Sequence, residues 1–430
     1  MPQLGRKQFF AMAAGITAVV ALPGCSSSGG ASTPAGTTAI TVMLPASTPE
    51  LQKAAENLLA EFNKSNPSIV ATLTVTPNNR DLVGAQLRSG TGPDVLSYSP
   101  GPGLLGAFQD AGLLYDLTTS YSKYNWKFFP WTMSMVSTPS GVDYSIPVQM
   151  DVIGIYYNKG IFNKFGLTVP TTLSDFTKTM DTLKSNGIVP LAFADKEGWP
   201  AGHDLSMAIA SIGGAPYLNE LETGKVPWNS PTVIEALDLF FNQFNKAGYL
   251  LPGAVGTAYA DGNSTFMNGK SAMLPTGEWE LSALESGIQF PATDLGYFPF
   301  PGKSGTGSYV GGVGQAFAIS KTSKNIEGAT QFLNWFATSP WVAQWQVTDF
   351  SQLPARTVSI DGLKINPIWA EMINIMTTSA TNPQLVGTNI DVTQNATFNS
   401  AMTNGLQAML TGSKTAQEVA DSLQAAYTSK

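Results

Sequence analysis

Apolar positions between residues 39 and 359 switch repeatedly between a period of two and a period of three to four. Ala39–Leu44 is a short β-rich run ended by Pro45. Thr48-Pro49 then supplies a cap and a first-turn proline ahead of Leu51, Ala55, Leu58, Leu59 and Phe62, which share one helical face. Ile69, Ala71, Leu73 and Val75 alternate with polar residues as a strand does, up to Pro77. The resulting βαβ unit is followed by a helix over Asp81–Arg88, a strand over Asp94–Tyr98, and a second αβ series that includes Ile153–Tyr157. Thr172 and Asp175 are spaced as a capping box with a shortened acid, opening a helix that stops at Gly187, before a strand over Val189–Phe193. Ser230-Pro231 opens a helix whose Ile234, Leu237, Phe241 and Phe244 fall on one face. From about Asn366 the pattern is mainly helical, over Pro367–Met376, Phe398–Leu410 and Lys414–Tyr427. This order predicts α/β architecture.

The first residues read differently. Arg6 and Lys7 precede an apolar run from Phe9 to Leu22, too short at about fifteen residues for a comfortable membrane span of about twenty. Residues 1–24 are therefore expected to be a signal peptide. Leu22-Pro23-Gly24-Cys25 resembles the bacterial lipobox, which would make Cys25 the lipidated residue, and Arg6-Lys7-Gln8-Phe9-Phe10 resembles a twin-arginine export signal with one arginine replaced. Residues 25–38, rich in Ser, Gly and Thr, have the composition of a flexible tether.

Composition narrows the chemistry. Charged residues are 12% of the 430, against about 25% in an average soluble protein, so the surface is largely uncharged and polar. The net charge of −7 repels a phosphate backbone, and no nucleic-acid partner is expected. One cysteine and one histidine rule out an intrachain disulfide and any zinc site built from several such ligands. Gly269-Lys270-Ser271 imitates the end of a phosphate loop, but Ser264 occupies the place of its first glycine. No G-x-S-x-G elbow occurs, and His203 would have to serve any serine triad. No cofactor or metal is expected. Glu278-Trp279-Glu280 is the one segment that invites a glycosidase reading, two carboxylates beside an indole.

Along nearly the whole body the chain resembles the extracellular solute-binding proteins of the maltose-binding type, the substrate-capturing lipoproteins of ABC sugar importers. The resemblance rests on eight stretches in order. Ile40–Val42 with Leu58–Pro67, Gly92–Val95, and Ala111–Leu117 open it, followed by Tyr156–Lys159 and Pro170–Phe176. Phe266–Met273 with Gly277–Trp279, Ala318–Lys321, and Leu353–Arg356 complete it. It implies a two-lobed periplasmic-binding-protein-like fold with discontinuous lobes, hinge crossovers and a mainly helical C-terminal part. Lobe 1 would combine residues 39–149 with 312–358, and lobe 2 residues 150–311 with 359–430. Hinges are expected near Ile146–Asp151, near Tyr309–Gly314 and after Arg356.

A pyranose offers apolar C–H faces and a rim of hydroxyls, so its site needs aromatic planes and fixed polar groups. The resemblance assigns stacking to Trp279 and hydroxyl binding to Asp151, with Gln149 on the same strand face and Glu278 or Glu280 beside the indole. Tyr98 at the end of a strand and Trp199 in the loop Gly198–His203 are further aromatic candidates, while His203 reads as a helix-start residue. Gly312 would offer a backbone N–H and Arg356 a planar fork. Trp369 resembles a stacking position of some relatives, and Ser47 follows the first strand where many relatives carry an aromatic. The expected function is a monomeric, non-enzymatic, lipid-anchored receptor on the outer face of the cell membrane. It would take a neutral mono- or oligosaccharide and present it to the transmembrane subunits of an ABC permease. A secreted glycoside hydrolase pairing Glu278 or Glu280 with Asp151, and a sugar-sensing partner of a membrane receptor, are the alternatives.

Overall fold

The alternation that begins at Thr38 becomes a parallel βαβ unit in the computed structural model. β1 (Thr38–Leu44) and β2 (Ile69–Val75) lie in register from the Thr38–Ile69 pair to the Leu44–Val75 pair, joined by the helix Pro49–Ser65. That helix buries Ala55, Leu58, Leu59 and Phe62, the face its spacing predicts. β3 (Val95–Tyr98) pairs with the other edge of β1, where the Asp94 carboxylate accepts from both the backbone N–H and the hydroxyl of Thr41 at 2.8 and 2.9 Å.

The structure describes residues 37–45, 49–75, 80–303, 305–379, 382 and 384–429. The expected signal peptide, Cys25, most of the tether and Ser47 lie outside these residues.

Two long strands carry the sheet onward: β4 (Ile146–Asn158) and, later in the chain, β9 (Gly305–Ile319). With β5 (Val189–Leu191) and β6 (Ser271–Gly277) the order is β2-β1-β3-β9-β4-β6-β5. Four short strands, β7 (Leu295–Phe298), β8 (Phe300–Gly302), β10 (Leu353–Pro354) and β11 (Val386–Thr388), pair onto β4 or β9. β4 and β9 run antiparallel with register shifts on either side of Gln149, which faces Gln315. Such irregularities bend a strand and re-aim its side chains.

The cores lie along this sheet. One, around Phe62, Phe317, Phe332 and Trp345, draws on residues between 40 and 148 and between 317 and 350. Another, around Phe176, Leu205, Phe240 and Leu406, draws on residues between 153 and 310 and between 390 and 426. A third, including Met150, Val152, Tyr156, Val313 and Trp369, follows the two long strands. The helices Ala396–Leu410 and Ala416–Thr428 bury Phe398, Leu406, Val419 and Leu423 in the second core. The helix opened by Pro231 departs from its predicted face. It passes into a π-turn over Asp238–Phe244, and Phe240 is buried along with Leu237, Phe241 and Phe244. The wider turn rotates successive side chains by less than an α-turn does, which widens the apolar face. Thr172 caps its helix as predicted, accepting from the Asp175 N–H at 3.2 Å.

Candidate functional site

The bend in β4 points Gln149 and Asp151 to one face, as residues two apart in a strand do. There they form the floor of a cavity of about 1070 Å³, together with Gly314 and Gln315 of β9. A side chain at 314 would displace the Asp151 carboxyl, since a Cβ would stand 2.1 Å from Oδ1 of Asp151. Gly311 is the more constrained, its Cβ position falling 2.1 Å from backbone, the Asp151 carbonyl oxygen.

One wall is aromatic. Trp199, just before the helix Pro200–Gly213, and Trp279, in the 3-10 turn after β6, approach edge to face with centroids 6.2 Å apart. Tyr259 and His203 flank Trp199 at 4.6 and 5.1 Å. The Trp279 indole N–H donates to the Tyr259 hydroxyl at 3.0 Å, which in turn donates to Glu280 Oε2 at 3.0 Å. Pro45, Leu51, Ser99, the segment Asp349–Gln352, Asn389 and Asp391 also line the cavity. His203 Nε2 and Asp391 Oδ2 are 3.3 Å apart.

The lining is acidic. Asp151, Glu197, Glu280, Asp349 and Asp391 all border the cavity, with His203 as the one basic side chain among the described lining residues. Beneath the floor, Glu278 is fully buried. Its Oε1 accepts from Gln149 Nε2 at 2.8 Å and its Oε2 from the Val152 N–H at 2.9 Å. Gln352 Nε2 donates to Gln149 Oε1 at 2.8 Å, so a polar relay runs from Gln352 through Gln149 to Glu278. Burial pushes the carboxyls of Asp151, Glu278 and Glu280 above their ordinary range, and for Asp151 the neighbouring Glu278 and Asp391 add to this.

The structure brings together Trp279, Trp199, Asp151 and Gln149 of the sequence-predicted residues, with Glu280 on the same wall. It places others elsewhere. Glu278 supports the floor from below and does not border the cavity. Tyr98 is buried against Phe108, and Trp369 sits in the core along the long strands. The Arg356 guanidinium donates to the carbonyls of Phe336 and Ser339 at 3.3 and 2.8 Å, bracing the end of the helix Ile326–Thr338. Gly312 is covered by Val392 and Met135. His203, read as a helix-start residue, borders the cavity from the helix Pro200–Gly213, and its position four after Trp199 is the signal that would have found it. Asp391 and Asn389 carry no comparable signal; they arrive from the polar C-terminal stretch.

Aromatic planes facing amide and carboxyl groups across one cavity can stack on and hydrogen-bond a polyhydroxylated ligand. Among the described residues, no cluster of three or more His, Cys, Asp or Glu is arranged to hold a metal. The family model of bacterial extracellular solute-binding proteins matches residues 45–343. A multiple sugar-binding protein of Streptococcus mutans is 28% identical over 322 residues, 73% of this chain and 74% of that one. A maltotriose-binding protein of Pyrococcus abyssi is 24% identical over 301 residues, 70% of this chain and 62% of that one. Among solved structures, a chitin oligosaccharide binding protein superposes with a TM-score of 0.76 at 24% identity, over 90% of this chain and 97% of that one. A maltose-bound protein of T. maritima superposes with a TM-score of 0.72 at 20% identity, over 90% of this chain and 98% of that one. With that fold and that family match, the chain belongs to the bacterial extracellular solute-binding proteins, of the maltose-binding type, and has their two-lobed α/β periplasmic-binding-protein fold.

Proposed function

We propose that this protein captures a neutral mono- or oligosaccharide between its lobes and delivers it to an ABC importer, held at the outer face of the membrane by lipid on Cys25. The observation that carries this reading is the pairing of the Trp199–Trp279 wall with the Gln149–Asp151 floor in one cavity. The volume of about 1070 Å³ lies just above the range of about 300–1,000 Å³ common for small-molecule sites, leaving room for more than one sugar ring. The acidic lining opposes sugar phosphates and uronates, and the sugars named for the relatives support a carbohydrate. Residues 39–149 with 312–358 would form one lobe and 150–311 with 359–430 the other, with β4 and β9 crossing between them. A ligand touching both lobes favours the closed form by its differential affinity, and no covalent step is needed.

A thermal-shift screen of the full chain in detergent against maltotriose, raffinose, chitin oligosaccharides and their monosaccharides tests this. A raised Tm with the sugar recovered intact, lost on Trp279→Ala and Asp151→Ala, is expected. No shift with any sugar overturns the receptor reading, and release of smaller sugars supports the glycosidase alternative. Mass spectrometry of the exported protein, showing a diacylglyceryl group on Cys25 that Cys25→Ala removes, tests the anchor.

A further inference from the structure

Glu278 has both oxygens engaged by N–H donors, from Gln149 and from the Val152 backbone, and is fully buried. Asp151 Oδ1 accepts from the same Gln149 amide only at 3.3 Å, so two buried carboxyls share one donor group. Two carboxylates buried on one neutral amide, with Asp391 as a further acidic neighbour, are relieved by a proton on one of them. We propose that Asp151 stands in the cavity as a neutral carboxylic acid beside an ionised Glu278, which makes Glu278 a positioning residue that, through Gln149, sets the charge and orientation of the ligand-facing floor.

The donors decide which partner is ionised. N–H groups stabilise a carboxylate and leave the acid form without an equivalent gain, so the doubly served Glu278 keeps the charge. The other elements packed around Asp151 do not relieve it. β9 contributes Gly311, Gly314 and Gln315, and the segment before β10 contributes Gln352. The helix Ile390–Thr393 brings Asp391, a further negative group, itself beside His203 of the helix Pro200–Gly213. Around Glu278 stand the phenols Tyr156 and Tyr297, which stay neutral. Burial raises both carboxyls and so favours a proton on the pair, and the two N–H donors on Glu278 place that proton on Asp151.

The consequence for binding rests on the sugar-receptor reading above. Ionising Asp151 places a second buried charge beside Glu278 and Asp391, which cleft closure would strip of water, so affinity falls as pH rises. The proton itself is testable without any sugar. Infrared spectra of the full chain are compared at neutral pH for wild type, Asp151→Asn and Glu278→Gln, with circular dichroism to confirm that each variant folds. Wild type minus Asp151→Asn is expected to show the carbonyl stretch of a protonated carboxyl, and wild type minus Glu278→Gln the stretch of a carboxylate. The reverse assignment, or carboxylate bands in both differences, overturns the proposal. In the second arm, whichever of maltotriose, raffinose or chitin oligosaccharides raises the wild-type Tm is titrated from about pH 6 to about pH 9. A weakening of about tenfold across that range in wild type, flattened in Asp151→Asn, is expected, since one proton linked to binding changes the constant by up to about tenfold per pH unit. A flat wild-type profile overturns the link to binding. Failure of every sugar to bind overturns the receptor reading while the infrared result still judges the proton.

Discussion

The indole of Trp279 is tied to Tyr259 by a 3.0 Å hydrogen bond, and Tyr259 is anchored in turn by Glu280 and by the Thr276 hydroxyl at 2.7 Å. A stacking plane held in one orientation loses less freedom on binding than one that must be ordered by the ligand. Tyr259→Phe removes the acceptor and keeps the ring, so it is expected to weaken sugar binding by about tenfold, the loss of one hydrogen bond of about 1 kcal/mol or slightly more. Trp279→Ala is expected to cost at least about 1–3 kcal/mol more through the lost stacking surface. Calorimetric titration of both variants with a sugar from the screen checks the order, and equal losses would refute the orienting role of Tyr259.

Gly314 is the second handle on the floor. A methyl group there collides with the Asp151 carboxyl at 2.1 Å, and that carboxyl is the movable end of a side chain. Gly314→Ala is therefore expected to displace Asp151 at a stability cost of about 1–3 kcal/mol while lowering sugar affinity by more than that loss of stability would imply. Gly311→Ala meets backbone instead, the Asp151 carbonyl oxygen, and is expected to disrupt the β4–β9 pairing itself. Urea unfolding and ligand titration of the two variants separate these outcomes.

Asp195 makes stability depend on pH. It is fully buried, accepts from the Ala201 N–H at 3.0 Å, and has its Oδ2 without a hydrogen-bond partner. Burial pushes its carboxyl up to about 6. Because the folded value lies above the unfolded one of about 3.9, the contribution of Asp195 is most favourable below about pH 4 and is lost as pH rises through about 6. A rise of about two units corresponds to about 3 kcal/mol. Unfolding free energies of wild type and Asp195→Asn at pH 4 and pH 7 should therefore diverge by up to about that amount, with wild type falling relative to the variant as pH rises. Parallel curves would refute it.

Arg356 braces the backbone. With its guanidinium on the carbonyls of Phe336 and Ser339, the Arg356→Ala variant leaves the C-terminal end of the helix Ile326–Thr338 without its charged donor. The expected loss is about 1.5–3 kcal/mol of stability, with the sugar dissociation constant changing far less. A large fall in affinity at unchanged Tm would return Arg356 to the ligand.

What could be read from the chain alone is local. The period of two over Ile69–Val75, the buried face of Pro49–Ser65, the cap at Thr172 and the C-terminal helices all follow from side-chain spacing and from backbone preferences within a few residues. Gln149 with Asp151 was legible for the same reason, since two residues two apart in a strand share a face wherever that strand is placed. The π-turn at Asp238–Phe244 was not, because it answers to packing against the second core. Which aromatic residues face the cavity was decided only by tertiary structure. Tyr98 and Trp369 are aromatic like Trp199 and Trp279, yet the first two are packed into the core along the long strands while the other two line the cavity. Arg356 likewise found carbonyls where a ligand was expected. The floor needed the long strands to bring Gln352 to Gln149 across 203 residues and Glu278 to it across 129. Burial and charge proximity depend on such distant approaches, whereas periodicity depends on neighbours, and so the elements were readable while the site had to be assembled.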